Sequence, residues 1–131
     1  MKKKVAFVCI HNSCRSQMAE AWAKKLGGDI FDVYSAGTHE YPRIKPLAVK
    51  VLEEEGLDMS HQYPKLLNAI PPKVDILITM GCDVECPFVS SLVKEDWNLE
   101  DPSGGPIEDY RICSSLIKEK VINLISKYKN I

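Results

Sequence analysis

Val5-Ala6-Phe7-Val8 runs into Cys9-Ile10-His11-Asn12-Ser13-Cys14-Arg15, and Ser16-Gln17-Met18-Ala19-Glu20-Ala21-Trp22 follows without a break. The apolar run from Lys4 to Cys9 has the pattern of a short strand buried on both faces. From Ser16 the period changes, with Met18, Ala19, Trp22, Ala23 and Leu26 recurring at helical spacing. Lys24 and Lys25 suit the negative end of that helix, and Gly27-Gly28 stops it. Cys9 to Arg15 is therefore a seven-residue loop between a strand and a helix, with a thiol at one end and a guanidinium at the other. Such a loop can wrap one tetrahedral oxyanion. Its N–H groups point inward, the helix N-terminus adds partial positive charge, and Arg15 can grip two oxygens. The same field favours a thiolate at Cys9, so the bound ion meets a nucleophile.

Working outward, Phe31 to Ala36 reads as a second strand closed by Gly37. Pro46 starts a helix with Leu47, Val51 and Leu52 facing inward and Gly56 ending it. Pro71-Pro72 precede a third buried strand, Val74 to Ile78. A last helix runs from about Glu108 to Tyr128, with Tyr110, Cys113, Ile117, Val121, Leu124 and Tyr128 on one face. Between Met80 and Ile107 the periodicity is weak, and only Val89 to Val93 reads as a short element. Strands alternating with helices predict an α/β fold, one domain over residues 1–131, with a parallel sheet covered on both sides. Ligands bind such sheets beyond the carboxyl ends of the strands. The loops after Cys9 and after Ile78 both emerge there.

The chain of 131 residues is long enough for one continuous core, and 45% hydrophobic with 27% charged residues is ordinary for a globular protein. A formal net charge of −1 supplies no field to recruit nucleic acid or an anionic membrane. Lys2-Lys3-Lys4 before an apolar run superficially resembles a secretory signal, but the run is too short and lacks a small-residue cleavage site. No segment approaches the roughly 20 apolar residues that span a bilayer. A cytoplasmic location is expected. Five cysteines are an odd count for a disulfide framework and point to reactive or metal-binding thiols.

Several residues are candidates for chemistry. Ser16 can donate to the Cys9 thiolate or cap the helix, and Asn12 can lock the loop by side-chain to backbone bonds. His11 is read as solvent-facing, and Cys14 and Cys113 as packing residues. His39 and His61 have no obvious partner set and read as surface residues. Asp101-Pro102 offers an acid held over the site, as attack on an oxyanion needs a proton for the leaving oxygen. A plain surface turn is the alternative, because Asp-Pro-Ser-Gly-Gly is rich in turn residues. Cys82 and Cys86 are four residues apart, so on one helical turn their Cα atoms lie about 6 Å apart, within disulfide reach. Zinc is the rival use, but two further ligands are missing nearby. A thiol close to Cys9 can attack a cysteine–oxyanion adduct, and its neighbour can resolve the disulfide.

Taken together, Cys9-Ile-His-Asn-Ser-Cys-Arg-Ser-Gln-Met-Ala-Glu, Tyr34-Ser-Ala-Gly, Met80-Gly-Cys82-Asp-Val-Glu-Cys86-Pro and Asp96-Trp-Asn-Leu-Glu-Asp101-Pro resemble the thioredoxin-coupled arsenate reductases, which share the fold of the low-molecular-weight protein tyrosine phosphatases. The resemblance runs nearly end to end. It implies a four-stranded parallel sheet flanked by helices, with the oxyanion-binding Cys-x5-Arg loop at its edge. It also implies Cys9 as nucleophile, Arg15 as oxyanion clamp, Ser16 as thiolate donor, Asn12 as loop support and Asp101 as general acid. Cys82 and Cys86 become the second and third redox cysteines. Arsenate is then the substrate and thioredoxin the electron donor, with no bound cofactor and a monomer expected. Some relatives bind potassium beside the loop through residues matching Asn12, Glu20 and Ser35 plus an acidic residue. Here Lys65 stands where the acid would be, its ammonium can replace the ion, and no metal is predicted.

Two other readings use the same loop. A low-molecular-weight protein tyrosine phosphatase would need Cys9, Arg15 and Asp101 but neither Cys82 nor Cys86. Ser103-Gly104-Gly105 offers no aromatic ring to hold a phosphotyrosine. A non-catalytic oxyanion or redox sensor would signal through Cys82 and Cys86. A phosphocysteine carrier is a weaker variant.

Overall fold

The N-terminal apolar run lies in the interior of a sheet. In the computed structural model, which describes residues 2–81 and 89–129, β1 (Lys3–Cys9) pairs on one side with β2 (Phe31–Gly37) and on the other with β3 (Lys73–Thr79). β4 (Ser90–Asp96) pairs with β3 at the edge. All pairs are parallel and the order is β2-β1-β3-β4, the four-stranded α/β architecture expected from the sequence. The helices are α1 (Arg15–Gly27), α2 (Pro46–Glu54) and α3 (Ile107–Lys129). Cys82 and Cys86 lie outside the described residues.

The alternation of side chains along the central strands splits the core. Phe7, Ile76 and Ile78 face one cluster with Met18 and Trp22 of α1 and Ile117 and Val121 of α3. Ala6, Val8 and Leu77 face a smaller cluster with Ala36, Ile70 and Val89. Each fully buried side chain such as Phe7 or Ile117 contributes about 2 kcal/mol. The indole Nε1 of Trp22 donates to Ser114 Oγ at 3.1 Å and ties α1 to α3. The face predicted for the last helix is the buried one, except that Tyr128 is only partly covered.

The strand at Ser90–Asp96 departs from the expectation of a short element ending at Val93. It is an edge strand whose Ser90, Leu92 and Lys94 to Asp96 are exposed. Val89, Ser91 and Val93 turn toward the core, whereas Lys94 to Asp96 are exposed and joined to β3 by backbone pairing that leaves no apolar signal to read. Among the described residues no helix is long and apolar enough to cross a membrane.

Candidate active site

Cys9 is the last residue of β1 and is buried. The backbone then turns through Asn12, whose φ of 52° is in the left-handed region that asparagine tolerates better than most residues. The Asn12 side chain makes that turn permanent. Its Oδ1 accepts from Gln17 Nε2 at 2.8 Å and from the Lys65 backbone N–H at 2.9 Å, and its Nδ2 donates to Ser16 Oγ at 2.7 Å. Ser16 Oγ is 2.9 Å from Cys9 Sγ. Asn12 donates to the serine oxygen, and the serine hydroxyl and the Cys9 sulfur share one further proton, which the serine donates when Cys9 is a thiolate.

The end of β2 closes against the same loop. Ile10 is half-buried, and its carbonyl accepts from the N–H groups of Thr38 and His39, both at 2.8 Å. A Cβ on Gly37 would lie 2.7 Å from Ile10 O and 2.8 Å from Asn12 N, so only glycine allows this approach. Ser13 is buried and its carbonyl accepts from Lys45 N–H at 2.7 Å. Lys45 Nζ donates to Tyr41 OH at 2.6 Å, and chiefly that bond raises its pKa above the ordinary lysine value.

Arg15 opens α1 and is 4% exposed. Its Nη1 donates to the carbonyls of Met80 and Leu99, each at 2.9 Å, and its Nη2 lies 3.7 Å from Asp101 Oδ2. The guanidinium thus joins the end of β3, the loop after β4 and the carboxylate. Asp101 is half-exposed, and Ser103 N–H donates to its Oδ1 at 3.0 Å. Burial pushes the Asp101 carboxyl up, but the Ser103 bonds and the charges of Arg15 and Lys45 outweigh it, leaving the pKa below the usual carboxylate value.

The structure therefore brings Cys9, Asn12, Arg15, Ser16 and Asp101 to one edge of the sheet. Gly81, the residue before Cys82, stands at the same edge, and its N–H donates to Asp96 Oδ1 at 2.9 Å. Cys14 is buried at the N-cap of α1, where desolvation holds its thiol far above the ordinary value. Burial likewise pushes the Cys113 thiol up to about 12. His11 is exposed, with its ring 5.0 Å from Tyr41 and 6.4 Å from His39. These rings line a cleft of about 470 Å³ beside the loop. Sequence reasoning missed the Met80 and Leu99 carbonyls, Lys45 and Asp96. Gln17 was the legible omission, as a polar side chain in the first turn of a buried helix.

Beside the loop, Glu20 is nearly buried. Ser35 Oγ donates to its Oε1, Lys65 Nζ lies 3.6 Å from the same oxygen, and Lys24 Nζ is 2.6 Å from Oε2. Lys65 Nζ also donates to Tyr63 O at 2.9 Å. Burial lowers the Lys65 pKa and Glu20 partly restores it. Among the described residues no three His, Cys, Asp or Glu side chains are grouped to hold a metal ion. Removing one partner of a buried ion pair strands the other, and here Lys24 remains to cover part of the loss. Lys65→Met is therefore expected to destabilise the fold by about 2 kcal/mol, read as a lower urea midpoint.

Residues 4–130 match the profile of the low-molecular-weight phosphotyrosine protein phosphatases. A glutaredoxin arsenate reductase from Synechocystis is 44% identical over 129 residues, which cover 95% of this chain and 98% of that protein. A solved arsenate reductase in its phosphate-binding state superposes with a TM-score of 0.88 at 43% identity, covering 97% of this chain and 98% of that one. A thioredoxin-dependent arsenate reductase from Corynebacterium glutamicum superposes with a TM-score of 0.74 at 30% identity, covering 96% of this chain and 61% of that one. Matched along nearly its whole length, the chain belongs to the low-molecular-weight phosphotyrosine protein phosphatase family.

Proposed function

We propose that this chain, acting as one domain over residues 1–131, reduces arsenate to arsenite through Cys9, Cys82 and Cys86, with thioredoxin restoring the thiols. The observation that carries this reading is the meeting of Cys9, Arg15 and Asp101 at the sheet edge where the backbone enters Cys82. The names of the relatives support arsenate as the substrate.

Cys9 thiolate attacks arsenic and displaces a hydroxyl, which leaves as water with the proton of Asp101. For that transfer the Asp101 proton must be present when the anion is bound. A bound dianion neutralises Arg15 and adds negative charge beside the carboxyl, and both effects raise its pKa. Cys82 thiolate then attacks the Cys9 sulfur. The sulfur–arsenic bond breaks with its electron pair left on arsenic, so As(V) becomes As(III) and arsenite leaves. Cys86 attacks Cys82 in the Cys9–Cys82 disulfide, freeing Cys9, and thioredoxin reduces the Cys82–Cys86 disulfide. Phosphate stops at the cysteinyl phosphate, which is hydrolysed and not reduced.

The test is NADPH oxidation with arsenate in the presence of thioredoxin and thioredoxin reductase. Sustained turnover is expected in the wild type and none in Cys82→Ser, whereas Cys82→Ser should retain the cleavage of p-nitrophenyl phosphate. Wild-type phosphatase turnover without arsenate reduction would replace this reading with the phosphatase one. Turnover only with glutaredoxin and glutathione would keep the reductase and change its donor, an outcome that the Synechocystis relative makes worth including. Ser16→Ala removes the hydroxyl 2.9 Å from Cys9 Sγ, which is the donor once Cys9 is a thiolate. Hydrogen bonds to charged groups are worth about 1.5–3 kcal/mol, so kcat/KM for arsenate should fall by about 10- to 100-fold.

A further inference from the structure

Asp96 closes β4, and its carboxylate holds two chain segments at once. Oδ1 accepts from Thr79 Oγ1 at 2.6 Å and from Gly81 N–H at 2.9 Å, while Oδ2 accepts from Asn98 N–H at 3.1 Å. Thr79 ends β3 and Gly81 leads directly into Cys82. Asn98 begins the run to Asp101. The bond to Asn98 alone would be a local turn two residues long. The bonds to Thr79 and Gly81 reach across to another strand, so the carboxylate is a bridge.

What it bridges is under conformational demand. Asn98 has a φ of 48° and Gly81 a φ of 98°. A Cβ on Gly81 would lie 2.6 Å from Leu99 N, so the two backbones touch. Arg15 Nη1 spans the same pair of segments, at Met80 O between Thr79 and Gly81 and at Leu99 O next to Asn98. The loop that presents Asp101 is thus held at Asn98 by Asp96 and at Leu99 by Arg15.

We propose that Asp96 is a positioning residue, its Oδ2 aligning the Asp101 loop and its Oδ1 aligning the backbone that enters Cys82. This rests on the reading of Asp101 as general acid and Cys82 as the second redox cysteine. The two oxygens can be separated by mutation. Asp96→Asn keeps a carbonyl oxygen for Thr79 and Gly81 but turns an NH₂ toward the Asn98 N–H, so only the Asp101 arm is lost. Asp96→Ala loses both arms. Asp96 is exposed at the end of an edge strand, and thermal midpoints of both variants serve as the check on folding.

The readout is the ratio of kcat/KM for p-nitrophenyl phosphate to that for phenyl phosphate. In both reactions Cys9 sulfur attacks phosphorus, the bond to the phenolic oxygen breaks and Asp101 protonates that oxygen. Nitrophenoxide leaves with little help, whereas phenoxide needs the proton. Asp96→Asn and Asp96→Ala are each expected to raise the ratio about tenfold, in the direction of an Asp101→Asn control. Single-turnover arsenite release, divided by phenyl phosphate cleavage in the same variant, should be unchanged in Asp96→Asn and about fivefold lower in Asp96→Ala. An equal loss on both esters is the mark of a merely structural role and overturns the proposal, as does an unchanged ratio while Asp101→Asn shows the full effect. Equal normalised arsenite release in the two Asp96 variants removes the Cys82 arm. If Asp101→Asn itself leaves the ratio unchanged, the general-acid reading has failed and takes the proposal down with it.

Discussion

Cys9→Ser is expected to lower arsenate turnover by about 10⁴-fold or more, to the background of the coupled assay. In the proposed reaction sulfur has two tasks that oxygen cannot take over. A serine hydroxyl is not ionised under conditions where a thiol in this loop attacks, so the adduct does not form. Even a serine adduct would give Cys82 no sulfur to attack, and the electron pair would have no route to arsenic. The substitution is small, and Ser16 Oγ, 2.9 Å from the sulfur, can bond a hydroxyl as well. The thermal midpoint should therefore stay close to wild type while both arsenate reduction and p-nitrophenyl phosphate cleavage vanish. Retention of arsenate turnover in Cys9→Ser would remove Cys9 from the nucleophile's role.

Arg15→Lys is the second large effect, a loss of about 10³-fold in kcat/KM for arsenate. Charge alone is kept by this substitution, so the loss measures geometry. The guanidinium holds Met80 O and Leu99 O through Nη1 while Nη2 faces Asp101 at 3.7 Å. An ammonium has no planar fork with which to serve carbonyls and an anion in fixed directions. Two buried carbonyls also lose a donor, so Arg15→Lys should unfold at a lower urea concentration than Cys9→Ser. A lysine variant with near wild-type kcat/KM would show that only the charge matters.

The division between what was readable and what was not follows from where each interaction is written. β1, β2, β3 and the three helices are carried by side-chain patterns, such as Met18, Ala19, Trp22 and Ala23 in α1, where the expected Leu26 proves exposed, or Cys113, Ile117, Val121 and Leu124 in α3. The loop from Cys9 to Arg15 was legible because its ends are chemically distinctive and the period changes on either side. β4 was legible only in part, since Val89 to Val93 read as a short element while the exposed Lys94 to Asp96, held by backbone pairing at the edge, carry no apolar signal. The carbonyls of Met80 and Leu99 belong to the backbone and have no letter in the sequence. Asp96 had a letter but no reason to be singled out, because its partners at Thr79 and Gly81 come into reach only once β3 and β4 are paired. Asp101 stood between two readings in the sequence, and its 3.7 Å approach to Arg15 places it beside the loop.

The anchoring of Arg15 by two carbonyls has a consequence for selectivity. An arginine side chain carries about 2 kcal/mol of rotamer entropy, and here it is lost when the chain folds and not when the anion binds. As the proposed oxyanion clamp, an arginine already ordered can bind quickly, but its own ordering gives no step in which the right ion is favoured over the wrong one. Phosphate and arsenate share charge and tetrahedral shape, so such a cradle admits both. In the proposed reaction the choice falls after capture, where one adduct can accept an electron pair and the other can only wait for water. Phosphate then acts as a competitor at the door, and its ambient concentration sets how much arsenate the enzyme needs to work.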